Sequence, residues 1–160
     1  MRRALLIVLA GGMLLVGRAE AQAQVIEFTA TLSGANEAPS LVNTGSFANA
    51  KVTLNLSSRD VTYSIQVFNM PSGTQQAHFH VGGPGTPGPI VVNIAVPAQI
   101  SNDYTLSGTA NASSLIPRTD QGIGSWDDFI QSLMGGQTYL NVHSNNNPAG
   151  EIRGQVLRVQ

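Results

Sequence analysis

The stretch "KVTLNLSSRDVTYSIQV" at residues 51–67 decides the fold class. Apolar side chains take alternate positions on both sides of a short polar segment; they are Val52, Leu54 and Leu56 before it, and Val61, Tyr63, Ile65 and Val67 after it. Strict alternation is typical of a strand with one buried face, and the pair Arg59-Asp60 supplies a turn between the two runs. The stretch therefore predicts a β-hairpin that packs on a core through one face.

The same pattern continues outward from the hairpin. Before it, "VIEFTATLSG" alternates in the same way, with Ile26, Phe28, Ala30 and Leu32 on one face. After it come five more short segments, separated by turns such as "GGPGTPGP" and "SNNNPAG"; the segments are "AHFHV", "IVVNIAV", "DYTLSGTANAS", "TYLNVHS" and "EIRGQVLRV". About eight short strands at even spacing predict an all-β fold, an antiparallel sandwich or barrel.

One segment departs from the strand pattern. The apolar residues of "SWDDFIQSLMGG" follow helical spacing; they are Trp126, Phe129, Ile130 and Leu133. Ser125 followed three residues later by Asp128 resembles a capping box, and Gly135-Gly136 ends the pattern. The sequence predicts one short helix across one end of the sheets, with its aromatic residues in the core.

The first residues have the organisation of a secretory signal peptide. Arg2 and Arg3 precede the apolar run "ALLIVLAGGMLLV", and the small residues of "AEAQAQ" follow at cleavage spacing. We expect cleavage after Ala21 or Ala23, with residues 1–23 as the signal and residues 24–160 as one domain. A retained N-terminal anchor is the alternative, although the run is shorter than the roughly 20 residues of a spanning helix. The protein is predicted to be exported to the periplasm or the medium, with no membrane span in its mature form.

The composition excludes several classes of function. The predicted domain carries five cationic side chains and eight carboxylates, and Lys51 is its only lysine. Nothing forms the basic patch that nucleic acid or an anionic membrane surface would require. The chain has no cysteine, which excludes disulfides, thiolate metal sites and cysteine nucleophiles. Any metal would need nitrogen or oxygen ligands.

Three histidines form a candidate metal site. His78 and His80 are two residues apart in a predicted strand, so their side chains point to the same face. Cα atoms roughly 6.6 Å apart allow two imidazoles to reach one ion at about 2.0–2.1 Å per nitrogen. His143 lies near the end of another predicted strand, beside a loop, where functional positions of a sandwich are exposed. The alternative is that His78 or His143 donates a hydrogen bond to a loop carbonyl and fixes that loop.

Three motifs resemble the CHRD domain, which is named after chordin and is found in many secreted bacterial proteins. They are "FTATLSGANEAP", "AHFHVGGPGTPGPIVV" and "GGQTYLNVHSNNNPAGEIRGQV", and the resemblance runs from Phe28 to Val156. The chain departs from the family pattern at two positions. It has Phe79 where the family often has Ile or Leu, and Ser144 where Thr is common. The resemblance implies the family without implying a particular activity.

The family is distantly similar to copper/zinc superoxide dismutase, a Greek-key β-sandwich. That similarity implies that His78, His80 and His143 match three of the copper ligands of the enzyme. Its bridging histidine, its zinc ligands and its disulfide cysteines have no counterpart, since the chain has three histidines and no cysteine. A two-metal dismutase is therefore excluded, and one three-histidine site is left.

Copper is the metal that we expect. Imidazoles suit Cu(II), and divalent affinities tend to peak at copper, while zinc held by three imidazoles and a water is the close alternative. Glu151 and Arg153 alternate on the last predicted strand and are candidates to orient His143 or to bring an anion to an open metal position. The alternative for both is a structural ion pair, between neighbouring strands or with Asp103 or Asp120.

Other residues near the histidines have simpler expected roles. Asn141, Asn145 and Asn147 are expected to shape turns. Met70 lies eight residues before His78 and would reach the site only if the intervening loop folds back.

Two functions remain open from the sequence. The first is the binding of one copper ion; weak superoxide dismutation is the catalysis such a site allows, but the chain lacks a lysine-rich funnel for anions, so we expect binding rather than catalysis. The second is a metal-free extracellular binding or scaffold module. It would hold a protein or surface partner through the "GGPGTPGP" and "SNNNPAG" loops, and the histidines would fix those loops.

Overall fold

The computed structural model describes residues 24–98 and 101–160, so the predicted cleavage sites lie outside the described residues. The elements in this part of the chain are β1 Val25–Ser33, β2 Phe47–Asn55, β3 Val61–Phe68, β4 Thr74–Val81, β5 Ile90–Ile94, β6 Tyr104–Ala110, α1 Trp126–Met134, β7 Thr138–Ser144, β8 Ile152–Gln155 and β9 Leu157–Arg158. Short 3₁₀ helices lie at Gly34–Asn36, Ala112–Ser114 and Thr119–Gln121. No helix in these described ranges is both long and apolar enough to cross a membrane.

The strands form one antiparallel sheet that curls into a nearly closed barrel. Its order is β5-β4-β7-β8-β1-β2-β3-β6, and β9 pairs with β1. The segment after β6 returns to the edge strand β5, where Leu115 bridges Val92 and the Ile116 N–H donates to the Val91 carbonyl at 2.8 Å. The connections from β3 to β4 and from β6 to β7 join strands that are not neighbours in the sheet, as in a Greek key. The predicted fold class is confirmed.

The hairpin predicted from residues 51–67 is formed by β2 and β3. Its register pairs Val52 with Tyr63 and Leu54 with Val61, and these side chains are buried. The prediction for Leu56 is wrong, because β2 ends at Asn55, whose Oδ1 accepts the Ser57 N–H at 2.8 Å and begins the turn. Leu56 is consequently 41% exposed.

Two other predicted strands are divided or shortened in the structure. β6 ends at Ala110, because the Asn111 side chain accepts the Ser113 N–H and caps a 3₁₀ helix. The last predicted strand divides into β8 and β9 at Val156, which is buried and donates its N–H to the Thr138 carbonyl at 2.9 Å. In the described part of the chain, eight strands form the path of the sheet, in line with the prediction of about eight, and the two-residue β9 is added beside β1.

Helix α1 packs on the core as predicted. The Ser125 N–H donates to Asp128 Oδ2 at 2.8 Å, and the Asp128 N–H donates to Ser125 Oγ at 3.2 Å, which completes the capping box. The four apolar residues predicted for its inner face are all buried, and Phe129 lies edge-on to Phe79 at 6.0 Å between ring centroids. Trp126 Nε1 donates to the Arg59 carbonyl at 2.8 Å, which ties the helix to the β2–β3 turn.

Candidate metal centre

The outer face of β4, β7 and β8 carries a row of polar side chains covered by loops. Antiparallel partners point to the same side of a sheet, and the register pairs His78 with Asn141 and Asn141 with Arg153. Phe79 points to the opposite side and is fully buried in the core. His78, His80 and His143 are only 5%, 7% and 9% exposed. His143, which was expected at an exposed strand end, is therefore buried, and all three histidines lie in a polar layer beneath the loops.

The structure brings the three histidines together. One ring nitrogen of each lies within 4.8 Å of those of the other two. His78 Nδ1 and His143 Nε2 are 3.2 Å apart, close to the roughly 3.3 Å that separates two nitrogens bound to one tetrahedral ion at about 2.0–2.1 Å. Shifts of less than about 1 Å in the ring nitrogens would place all three at about 2.0–2.1 Å from one metal ion.

Backbone carbonyls fix the tautomers of two rings. His80 Nδ1 donates to the Gly88 carbonyl at 2.9 Å, and His143 Nδ1 donates to the Pro148 carbonyl at 3.1 Å. A carbonyl can only accept, so each neutral ring keeps its lone pair on Nε2. His80 Nε2 is buried and has no hydrogen-bond partner among the described residues. His143 thus makes the loop-fixing bond that was predicted for His78 or His143, and His80 makes a second one. Metal-binding histidines commonly donate their second nitrogen in this way, so these bonds and a metal site are compatible.

Contacts to the backbone of Gly88 orient His80. The Tyr139 ring stacks on the imidazole at 4.8 Å between centroids, with 12° between planes. The Tyr139 hydroxyl accepts the Gly88 N–H at 3.0 Å and donates to the Gly88 carbonyl at 3.2 Å. A Cβ on Gly88 would lie 1.6 Å from the Val81 carbonyl oxygen, so only glycine allows this close approach.

Arg153 fastens the same loop from the other side of the tyrosine. Its guanidinium carbon lies 3.5 Å from the Tyr139 ring centroid. Its Nη2 donates to the Gly83 and Thr86 carbonyls, both at 2.9 Å. Arg153 thus positions the loop and the tyrosine that hold His80, and its positive charge also acts to lower the pKa of His80.

Burial keeps the three histidines neutral. Burial, together with the smaller effect of the neighbouring His143 and His80 rings, lowers the pKa of His78 to about 4. It also lowers the pKa of His80 to about 4, although the bond to Gly88 acts the other way. Burial lowers the pKa of His143, and the bond to Pro148 opposes that shift. Neutral imidazole is the form that binds metals, so no proton has to be displaced at neutral pH.

We expect acid to destabilise the metal-free protein. The pKa of a histidine is about 6.5 in the unfolded chain and about 4 in folded His78 and His80, so between these values the unfolded state binds more protons. This stability is fully present above about pH 6.5 and is lost as the pH falls towards 4, by about 1.4 kcal/mol per pH unit for each such histidine. Urea unfolding at a series of pH values measures the slope. His78→Asn should make it shallower, and an unchanged slope would contradict the assignment.

Glu151 has no contact with the histidines and holds two loops together instead. Four side chains donate to its carboxylate; they are Thr44 at 2.7 Å, Ser46 at 2.6 Å, Asn147 at 3.1 Å, and Ser144. Burial opposes ionisation of this carboxyl, but the four hydrogen bonds together outweigh it and lower the pKa of Glu151. Ser144 and Asn147 lie next to His143 and Pro148 along the chain, and the His143 ring is bonded to the Pro148 carbonyl. Glu151 therefore supports the position of His143 indirectly, through this loop.

The ion pairs predicted as the alternative are not found. In residues 24–98 and 101–160, the ion pairs within 4.0 Å are Lys51–Glu27 and Arg59–Asp127. Glu151 is bound by neutral groups, and Arg153 by carbonyls and an aromatic ring. Both side chains are therefore fixed by hydrogen bonds and ring contacts rather than by an opposite charge.

The asparagines and Met70 near the histidines can be compared with their expected roles. Asn141 does not shape a turn: it lies inside β7, and its Nδ2 donates to Glu37 Oε2 at 3.2 Å. The pairing of β7 with β4 and β8 continues the strand past this position. Asn145 and Asn147 do follow the strand, and the Asn147 carbonyl accepts the Gly150 N–H. Met70 is 1% exposed in the apolar core and takes no part in the histidine cluster.

Three residues of the layer were missed by sequence reasoning. They are Tyr139, Gly88 and Glu37, which lie 4, 55 and 106 positions from His143 along the chain. Only the register of β4, β7 and β8 and the folding of the loops bring these residues to one face of the sheet. The alternation of "TYLNVHS" places Tyr139, Asn141 and His143 on one side of a strand, which was the available signal for Tyr139.

The chain was compared with known proteins. The family profile of the CHRD domain matches residues 28–156, a range that includes all three histidines and most of the barrel. No curated protein and no solved structure matches the chain. The match agrees with the resemblance of the three sequence motifs and covers well over half of the chain. This protein therefore belongs to the CHRD domain family.

Proposed function

We propose that this protein is an exported metal-binding protein that holds one copper ion through His78, His80 and His143. The observation that carries the proposal is the convergence of three ring nitrogens within 4.8 Å in a buried layer. Two of the rings are held by backbone carbonyls in the tautomer that leaves a lone pair on Nε2. His143 Nε2 lies 3.2 Å from His78 Nδ1, and His80 Nε2 is buried without a partner in the described part of the chain. A metal ion would satisfy that nitrogen.

The donor set favours copper. The cluster in the described residues consists of imidazoles alone, without a carboxylate or a thiolate. Nitrogen ligands suit Cu(II) better than Cu(I), and divalent affinity rises to copper and falls again at zinc. Zinc with three imidazoles and a water is the alternative occupant. The distant similarity to copper/zinc superoxide dismutase stays a prediction, and the proposal does not depend on it.

We infer binding rather than catalysis. Bound copper would supply one-electron redox chemistry, but the Nη2 of Arg153, the cation whose charge acts on His80, is taken by loop carbonyls. A surface with little positive charge attracts superoxide weakly. Export rests on the sequence of residues 1–23, and the choice between periplasm and medium is left to localisation experiments.

A metal-free extracellular binding module is the second candidate. It is favoured by the bonds of His80 and His143 to the carbonyls of Gly88 and Pro148, which fix two loops whether or not a metal is bound. In that case the loops at residues 82–89 and 145–150 form the surface that holds a protein partner. The role of the histidines is then purely structural.

A titration of the mature form, residues 24–160, with Cu(II) and Zn(II) separates the two candidates. We expect one saturable copper site whose electron spin resonance spectrum shows nitrogen hyperfine splitting. At a free copper concentration 100 times the dissociation constant, binding should stabilise the fold by about 2.7 kcal/mol. Zinc should bind the same site more weakly. No saturable binding, or weak binding equal for both metals, would leave the metal-free module.

A further inference from the structure

A cavity that contains none of the histidines lies between the loop after β1, the loop after β4 and strand β8. Its volume is about 300 Å³. Its polar wall includes Glu37, Arg153 and Gln155, and its apolar wall includes Ala35, Leu41 and Pro84. Ligand sites in proteins start at about this volume, so the cavity suits a small molecule rather than a peptide.

Two acceptors of the polar wall lack a donor. Gln155 Nε2 donates to the Gly82 and Gly136 carbonyls at 2.9 and 2.8 Å, which fixes the orientation of the amide. Its Oε1 is therefore an acceptor, and it is buried without a partner among the described residues. Glu37 is 7% exposed, and its Oε1 is buried without a partner as well. Such atoms cost about 1–3 kcal/mol each unless a bound donor reaches them.

Glu37 and Arg153 line the cavity as opposite charges that are not in contact. Neither belongs to the two ion pairs within 4.0 Å of the described ranges. Burial raises the pKa of Glu37, and the bond from Asn141, the charge of Arg153 and a backbone hydrogen bond from Ala38 offset it only in part. The hydrogen bonds of Arg153 to the loop carbonyls use Nη2, which leaves Nε and Nη1 to meet an acceptor.

These features are complementary to a zwitterion with an apolar part. An ammonium group supplies donors to the oxygens of Glu37 and Gln155, and a carboxylate accepts from Arg153. Leu41 is 73% exposed beside these groups and offers an apolar contact. We propose that the cavity binds a free α-amino acid with an apolar side chain. A neutral sugar would offer no opposite charge to either group.

Calorimetric titration of the metal-free protein with L-leucine tests this site independently of copper. We expect saturable one-to-one binding. Leucinamide, which lacks the carboxylate, and 4-methylpentanoate, which lacks the ammonium, should each bind at least about tenfold more weakly. Glu37→Gln should weaken leucine binding by at least about tenfold as well. Glu27→Gln is the matched control, because Glu27 is paired with Lys51, half-exposed and not part of the cavity wall.

Three results would overturn the proposal. They are the absence of saturable leucine binding up to about 10 mM, binding that Glu37→Gln leaves unchanged, and saturable binding of glucose in place of leucine. Thermal unfolding of both variants shows whether the fold is kept. Glu37→Gln retains an oxygen that accepts from Asn141 Nδ2, so we expect it to fold. Arg153 is left unchanged in this experiment because it also holds the loop over Tyr139.

Discussion

Replacing His80 by asparagine is expected to lower copper affinity by more than about 100-fold while the fold is kept. Loss of a mere hydrogen-bond partner of a ligand already costs 10- to 100-fold, and His80→Asn removes a ligand nitrogen itself. The amide nitrogen of asparagine lies near the position of the imidazole Nδ1. It can therefore still donate to the Gly88 carbonyl, which His80 Nδ1 now reaches at 2.9 Å. Competition with a chromogenic chelator measures the affinity.

Gln76→Ala is the matched control for this variant. Gln76 is exposed on the same strand and is the register partner of His143, but it has no place in the histidine cluster. We expect its copper affinity to stay within about threefold of the wild type, in line with the small effects of surface substitutions. If His80→Asn and Gln76→Ala bound copper equally well, the metal would lie elsewhere and the three-histidine site would be wrong.

Gly88→Ala is expected to have the largest effect on stability, at least about 4 kcal/mol, which is at the exceptional end for one substitution. The new Cβ would lie 1.6 Å from the Val81 carbonyl oxygen and 2.8 Å from its carbon, so the backbone of the loop has to move. That movement takes the Gly88 carbonyl away from His80 and Tyr139. Copper affinity should fall along with the free energy of unfolding, which urea titration measures.

Gly85→Ala in the same loop isolates this steric effect. Gly85 has a positive φ of 70°, but a Cβ there would meet nothing within 4 Å. Its cost is limited to the left-handed conformation, about 1–2 kcal/mol, and the Gly88 carbonyl stays in place. Equal losses of stability in the two variants would show that the loop tolerates movement at Gly88 and that the contacts of Gly88 with His80 are not specific.

The sequence predicts those features of the fold that depend on interactions between residues close together in the chain. The alternation in residues 51–67 fixes which side chains of β2 and β3 face the core, because the period of a strand is two. The capping box of α1 is equally local. The prediction for Leu56 is wrong because the Asn55 side chain accepts a hydrogen bond from the Ser57 N–H. This bond starts a turn and competes with continued pairing of the strand.

The candidate site divides in the same way. His78 and His80 share a face because they are two residues apart, and that follows from the sequence. Their approach to His143 requires the pairing of β4 with β7, which the sequence implied only through a family resemblance. The contacts of Glu151 and Arg153 could not be predicted, because both side chains bond to loops whose paths depend on the whole barrel.

The sequence by itself determined the strand pattern, the helix, the CHRD family and the three histidines as the candidate ligands. Only the tertiary structure decided that the ring nitrogens converge, that their tautomers are fixed by Gly88 and Pro148, and that loops bury them. The physical reason is range: alternation and capping act within a few residues, whereas convergence depends on pairing between segments 65 positions apart. Burial, which keeps the imidazoles neutral, is likewise a property of the assembled layers.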